Sequence, residues 1–345
     1  MEKSTRENST DKKKRSAEIV PSNLGACGWY RLVQQAQMLQ ICGKEVFIMP
    51  PGRYAQMRQN VVWTQRICTE KLAPRMIDFK KKSGCQMIID FDDLLWDHHG
   101  ETIPDYNWTR DNMDLVGNTR ALDTHLDTMC EQVTVSTPVL KKLLSEFTDD
   151  SKIHVLPNML TYREWGFEER TSYPRQLSFM FAGSETHFNN DKKMYGDFTE
   201  PLARYLSKRT VITKHIAPWF LNPSIQYKSS PLSRYARDFY RQATDAKFIV
   251  APLTESLFNK AKSDLKYLES CAIGRVCLCS SFEDGPYEGA HPYQKIPVDA
   301  TEQHIEFIVD RAEKNYDEIL DWQYKYLAGR WLDDHIKDVG DVLGF

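Results

Sequence analysis

The chain has 345 residues, is 41% hydrophobic and 27% charged, and carries a formal net charge of -3. That length allows two buried cores, and the near-neutral balance excludes a global electrostatic pull toward nucleic acid or an anionic membrane, leaving only local basic patches. No apolar run approaches the ~20 residues of a membrane span, and no apolar segment follows the N-terminal charges as in a secretory signal, so a soluble cytoplasmic protein is expected.

Eight cysteines are scattered, mostly in apolar contexts and with no CxxC pair. They read as free, buried thiols in a reducing compartment. Residues 1–16 are polar and aperiodic and are expected to be a disordered tail.

From residue 17 to 160, short β-branched runs alternate with helix-like stretches. Strands are expected at 18–20, 45–49, 60–64, 86–90, 132–136 and 153–156, with helices at 29–42, 65–82, 112–130 and 137–147. A βα alternation of this kind predicts a mostly parallel sheet covered on both faces. The polar stretch 161–176 interrupts the rhythm and reads as a linker. A second series follows over 177–301, with strands at 177–182, 209–213, 247–251 and 275–280 and helices near 191–208, 231–244, 260–273 and 302–328. The fold class is therefore α/β, with two doubly wound Rossmann-like domains facing across a cleft. The aromatic-rich segment 302–345 is expected to be helical and either to cross back to the first domain or to form a dimer face.

The most informative stretch is Phe258-Asn259-Lys260-Ala261-Lys262-Ser263-Asp264-Leu265-Lys266-Tyr267-Leu268-Glu269, which follows a strand-like run and opens a helix-like one. A helix N-terminus presents unpaired N–H groups and positive dipole, which suits an anion. The first turn here carries Asn259, Lys260, Lys262 and Ser263, and two lysines and a hydroxyl there point to phosphate, in the form of a diphosphate. Glu269, two helical turns beyond Lys262, is placed to accept both hydroxyls of a ribose. Together they describe a nucleotide sugar. The competing reading is a solvated amphipathic helix with Leu265, Leu268 and Ala272 as its buried stripe.

Other candidates lie at the ends of the expected strands. Gly28, Tyr30 and Arg31 follow the first, where Arg31 could reach an anion in the cleft. The carboxylates Asp90, Asp92 and Asp93, before Trp96, suggest Mg²⁺ or Mn²⁺, or else helix capping and hydroxyl binding. Gly183, Ser184 and His187 form a small-residue loop that could hold phosphate or sugar, with His187 donating to a leaving oxygen or merely tying the loop down. Asn158 reads as a turn residue, and Pro286 and Tyr287 could close over a donor or form an ordinary turn. Arg58, Arg66, Lys71, Arg75 and Lys80 to Lys82 concentrate positive charge in the first half. They form either a solvated face or a groove for an anionic acceptor.

Taken together, these segments resemble the two-domain GT-B nucleotide-sugar glycosyltransferases of the group-1, GT4-like branch. The resemblance covers roughly 18–290 and is carried by Pro252-Leu253, Phe258-Asn259, Lys262-Ser263, Lys266, Glu269 and Gly285-Pro286-Tyr287. Gly28, Tyr30-Arg31, the Asp90 to Trp96 block, Ser136-Thr137, Pro157-Asn158, Gly183-Ser184 and His187 support it. Proteins similar to it occur in bacterial polysaccharide clusters and in bacteriophages. The resemblance implies that the second domain binds a nucleotide sugar, with a UDP-sugar the first choice, and that the first domain presents an acceptor. Transfer would be retaining and metal-independent, with no tightly bound cofactor. It thus argues against Asp90, Asp92 and Asp93 as metal ligands, although Asp92, Asp93 or His98 would be base candidates in an inverting enzyme. Many relatives carry a second Glu eight residues before the ribose Glu. Ala261 stands there, so sugar-hydroxyl contacts do not transfer. The acceptor is left as a saccharide, such as a surface glycan, or a hydroxymethylated base in phage DNA. A non-catalytic nucleotide-sugar-binding protein and a metal-dependent transferase using Asp90 and Asp92 are the alternatives.

Overall fold

The computed structural model describes residues 15–51, 53, 59–69, 71–96, 119–166, 174–183, 195–215, 217–227 and 234–345. Two six-stranded sheets organise the chain. The first, in order β2-β1-β3-β4-β5-β6, contains β1 (Ser16–Val20), β2 (Glu45–Ile48), β3 (Val61–Gln65), β4 (Gln86–Phe91), β5 (Gln132–Val135) and β6 (Ile153–Val155). The second, in order β12-β11-β10-β7-β8-β9, contains β7 (Phe179–Gly183), β8 (Val211–His215), β9 (Ile225–Tyr227), β10 (Phe248–Ala251), β11 (Val276–Ser281) and β12 (Lys295–Pro297). All pairings are parallel. Strand order reverses between β1 and β3 and between β7 and β10. In open parallel sheets, the carboxyl ends at such reversals frame the ligand crevice.

Period-two alternation splits each sheet between two cores. On β4, Met87, Ile89 and Phe91 join one cluster and Ile88 the other. On β10, Phe248 and Val250 face one side, while Ile249 and Ala251 face the other. Cys277 and Cys279 share a buried face of β11 and act as small apolar residues. The strands expected at 18–20, 45–49, 60–64, 86–90, 132–136 and 153–156 correspond to β1–β6. β9 and β12 have no counterpart in the sequence reading: β9 is short and largely exposed, so it lacks the apolar run that marks a buried strand.

Helices cover the sheets. Those that position the site are α1 (Ala26–Gly28), continued through a π-helical turn at Trp29–Val33 into α2 (Gln34–Ile41); α3 (Tyr235–Ala243); α4 (Leu257–Lys260); α5 (Leu265–Ala272); α6 (Glu302–Lys314); α7 (Tyr316–Ala328); and α8 (Leu332–Leu343). Three sequence expectations shift. The helix expected over 65–82 occupies Ala73–Ser83, with Pro in its first turn. The one expected over 260–273 is broken into α4 and α5. The one expected over 302–328 is divided at Asn315, whose side-chain amide donates to the Arg311 carbonyl.

The chain returns to the first sheet at its end. Leu160 and Trp331 form an isolated parallel bridge, Tyr162 stacks on Trp331 at 4.2 Å, and Leu332, Val339, Val342 and Leu343 of α8 pack with Leu32, Ala36 and Leu39. Among the described residues, no helix is long and apolar enough to cross a membrane.

Candidate functional site

The π-helical turn at Trp29–Val33 sets neighbouring side chains to different tasks, as single π turns often do near functional sites. Gly28 precedes it because nothing larger fits: a Cβ there would lie 1.9 Å from the Asn23 carbonyl oxygen. Tyr30 points to the second domain, where its hydroxyl donates to Glu269 Oε1 at 2.9 Å in a fully buried contact. Arg31 turns inward instead. Its Nη2 lies 2.6 Å from Asp90 Oδ1, its Nε donates to Asp90 Oδ2 at 3.2 Å, and its Nη1 donates to the Leu156 carbonyl. Thr134 adds a 2.7 Å bond to Asp90. Both members of the pair are essentially inaccessible, each spent on the other in this arrangement.

The rest of the acidic block is similarly committed. Arg66, held in a left-handed conformation (φ 58°), engages both oxygens of Asp92. Burial opposes ionisation of Asp92, yet the Arg66 guanidinium holds its carboxyl below the ordinary carboxylate range. Asp93 lies 3.5 Å from the same guanidinium, and burial together with the Asp92 charge pushes it up. Cys27 completes a cluster whose three potential ligand atoms lie within 4.8 Å of one another. Burial drives the Cys27 thiol far up, so it stays protonated, and Arg66 occupies Asp92. Trp96 packs in the first domain's core, edge-on to Phe91 and Phe147.

On the second domain, the segment between β10 and α5 behaves differently from the expected single helix. α4 begins with Ser256, whose hydroxyl accepts from the Asn259 N–H. Phe258 and Ala261 pack into the first domain's core, and the Thr137 hydroxyl donates to the Ala261 carbonyl at 3.0 Å. Lys262 and Ser263 therefore sit in the turn ahead of α5. Ser263 receives a 2.7 Å bond from Asn158 Nδ2 of the first domain. Asn259 is used internally, its amide bonded to Asp197 Oδ1 and the Thr254 carbonyl, both at 2.8 Å. Its Oδ1 is buried without a hydrogen-bond partner. Tyr287 is likewise packed into the apolar cluster behind α5.

α5 starts at Asp264 without a side-chain cap. The Asp264 carboxylate is taken up by Arg330 in a two-pronged pair, 2.9 Å on each side, and by the Tyr326 hydroxyl at 2.6 Å. Arg330 also donates to the Asn158 carbonyl at 2.6 Å. The leading N–H groups of α5, at Leu265 and Lys266, have no side-chain cap, and groups of this kind suit an anion. Lys266 donates to the Ala182 carbonyl at the end of β7, beside Gly183, and burial lowers its pKa. Ser184 and His187 fall outside the described residues.

Glu269 is buried at the far end of this arrangement. Burial raises its carboxyl, while Lys266, Tyr30, Lys214 and Tyr235 favour its charge. Sequence reasoning missed two of these neighbours. Tyr235 opens α3 and hydrogen-bonds the Glu269 carboxylate. Lys214, on β8, is fully buried with no hydrogen-bond partner, its Nζ 4.4 Å from the Tyr235 ring centre. Burial lowers it to about 8. A lysine ending the apolar run Val211-Ile212-Thr213 is the only local signal for it.

The basic set of the first domain is partly spent on acids. Arg66 holds Asp92, Lys80 pairs with Glu131 at 2.5 Å, and Lys82 pairs with Asp78 at 2.7 Å. Arg58 lies outside the described residues.

No protein-family profile matches this sequence, and no curated protein matches it. The structure is similar to several solved ones. Anabaena HepE in complex with UDP aligns at a TM-score of 0.57 with 9% identity, over 95% of this chain and 99% of that one. The lipopolysaccharide outer core galactosyltransferase WaaB aligns at 0.57 with 11% identity, over 95% and 99%. An E. coli trehalose-6-phosphate structure bound with UDP-2-fluoro glucose aligns at 0.53 with 9% identity, over 92% and 78%. At such identities the likeness is one of fold, and the fold is GT-B: two facing Rossmann-like domains, each built on a parallel six-stranded sheet.

Proposed function

We propose that this protein transfers a sugar from a nucleoside-diphosphate sugar to an acceptor hydroxyl. The observation that carries the reading is the convergence, on one domain face, of an uncapped helix N-terminus, Lys262, Ser263 and Lys266 at one end and the buried carboxylate Glu269 at the other. Glu269 would accept the ribose hydroxyls. Lys262, Ser263 and the first N–H groups of α5 would hold the diphosphate and stabilise its charge as it departs. The similar folds of HepE and of the trehalose-6-phosphate structure, solved with UDP and with UDP-2-fluoro glucose, support a UDP-sugar donor.

In the step proposed, the acceptor oxygen bonds to the anomeric carbon, the bond from that carbon to the phosphate oxygen breaks, and the acceptor proton passes to the departing diphosphate. The configuration is retained. No metal is assigned, because Asp90 and Asp92 are each paired with an arginine. Asp93 faces Lys262 across the cleft and stays a candidate for orienting the acceptor. A saccharide acceptor is favoured over hydroxymethylated DNA, since the first domain's basic residues are partly neutralised in place.

The test is release of nucleoside diphosphate from a panel of UDP-, GDP-, ADP- and dTDP-sugars, with and without EDTA. Slow release from one donor, lost in Glu269→Ala and indifferent to EDTA, is expected. Absence of both release and binding for every donor would overturn the reading.

A further inference from the structure

A cavity of about 440 Å³ is lined by Trp29, Arg163, Glu164, Arg234, Tyr235 and Arg237 among others, and by none of Lys262, Ser263, Lys266 or Glu269. Three separate parts of the chain build it: the π-helical turn of the first domain, the crossover at Tyr162–Trp165, and the start of α3. Its walls therefore assemble only when the two domains meet.

The charge of this cavity is unbalanced. Arg163, Arg234 and Arg237 make no ion pair among the described residues. The single acid, Glu164, already accepts the Trp29 indole N–H at 3.0 Å. The N-terminus of α3 also faces this region, with no side-chain cap from Arg234. Among the described lining residues, three solvent-exposed arginines and one carboxylate give a surplus of two positive charges. Like charges held in one pocket repel, and an oxyanion with charge near -2 removes that repulsion while accepting forked N–H bonds. A phosphate monoester carries about -1.5 to -2 at neutral pH. The volume exceeds that of a phosphate and leaves room for an attached ring beside Trp29.

We propose that this cavity binds a phosphorylated saccharide, at a site separate from the one assigned above to the donor diphosphate. The source is either a phosphorylated acceptor or a free sugar phosphate that holds the domains together. The binding claim does not require the transfer reading, though the acceptor source does.

The experiment is calorimetric titration of the full chain with a hexose 6-phosphate and with the unphosphorylated hexose, with and without saturating UDP. Wild type should bind the hexose phosphate in the presence of UDP and ignore the hexose. Arg234→Ala/Arg237→Ala should weaken hexose phosphate at least about tenfold while leaving UDP affinity and the far-UV spectrum unchanged. Arg234→Lys/Arg237→Lys should recover part of the loss by restoring charge without the fork. No binding to wild type, equal binding by the alanine variant, or complete displacement by UDP would overturn the proposal. Hexose phosphate binding without any nucleotide binding would sink the transferase reading and leave this site standing. Under turnover, conversion of the hexose phosphate into product identifies an acceptor. Altered donor hydrolysis with the hexose phosphate recovered intact identifies an effector.

Discussion

The Tyr30 hydroxyl lies 2.9 Å from Glu269 Oε1, across 239 residues of sequence and between the two domains. The carboxylate proposed to bind ribose is thus already engaged from the opposite side of the cleft. Each carboxylate oxygen can accept more than one hydrogen bond, so a ribose on Glu269 either shares Oε1 with Tyr30 or displaces it, and in the second case domain contact and donor binding compete for one group.

Tyr30→Phe removes that competitor. Where the ribose displaces Tyr30, UDP should bind the variant at least about tenfold more tightly than wild type, since a hydrogen bond to a charged group is worth about 1.5–3 kcal/mol. The unliganded variant should lose stability by about 1–3 kcal/mol in denaturant titration. Weaker UDP binding would instead make Tyr30 part of the donor site.

The pH dependence of stability has two opposed contributions beside Tyr235. Burial lowers Lys214 from 10.5 to about 8. Between those values the unfolded chain holds a proton the folded chain has released, so stability rises as pH climbs from about 8 toward 10.5. Burial raises Glu269 above 4.5, so its contribution runs the other way: stability is lost as pH rises from 4.5 through the folded value. Lys214→Met should flatten the alkaline rise and increase stability at neutral pH, because it removes a buried ammonium with no hydrogen-bond partner. Glu269→Gln should flatten the acidic fall. Melting curves for both variants across this range check the two signs separately.

Arg330 joins three parts of the molecule: Asp264 at the head of α5, Asn158 at the end of the first domain, and the α8 return beside Trp331. Arg330→Ala leaves the Asp264 carboxylate buried with only Tyr326, and removing one partner of such a pair costs about 3–5 kcal/mol. Asp264→Asn/Arg330→Met should cost less than the single alanine substitution, because no charge is stranded. Denaturation midpoints at constant slope measure both.

The strands were legible because Glu45–Ile48, Phe248–Ala251 and Val276–Ser281 are apolar runs bounded by turn residues. The place of Lys262 and Ser263 ahead of a helix and of Glu269 within it was legible from their position after such a run. The break at 261–264 was not, because its cause is the pairing of Asp264 with Arg330, 66 residues away. Arg31 illustrates the same limit. Its spacing after a glycine turn suggests a free cation, and only the sheet register that brings Asp90 beside it shows the pair. Tyr235 and Lys214 carry no motif, and their proximity to Glu269 comes from tertiary packing.

The arginine pairing of Asp90 and Asp92 predicts how the proposed activity responds to metal removal. Donor turnover in EDTA should match that in Mg²⁺ or Mn²⁺, whereas a Lewis-acid mechanism would lose several kcal/mol of transition-state stabilisation. Asp92→Asn should reduce stability, because Arg66 then lacks its closest counter-charge. A turnover that collapses in EDTA and returns with Mn²⁺ would reinstate the acidic block as a metal site.

The central claim is that Glu269 is the nucleotide-binding carboxylate, and titration calorimetry of UDP on wild type and Glu269→Ala tests it most directly. The account predicts a saturable isotherm for wild type and an affinity at least about tenfold weaker in the variant, as befits loss of a charge-assisted contact. Equal affinities in the two proteins would contradict it.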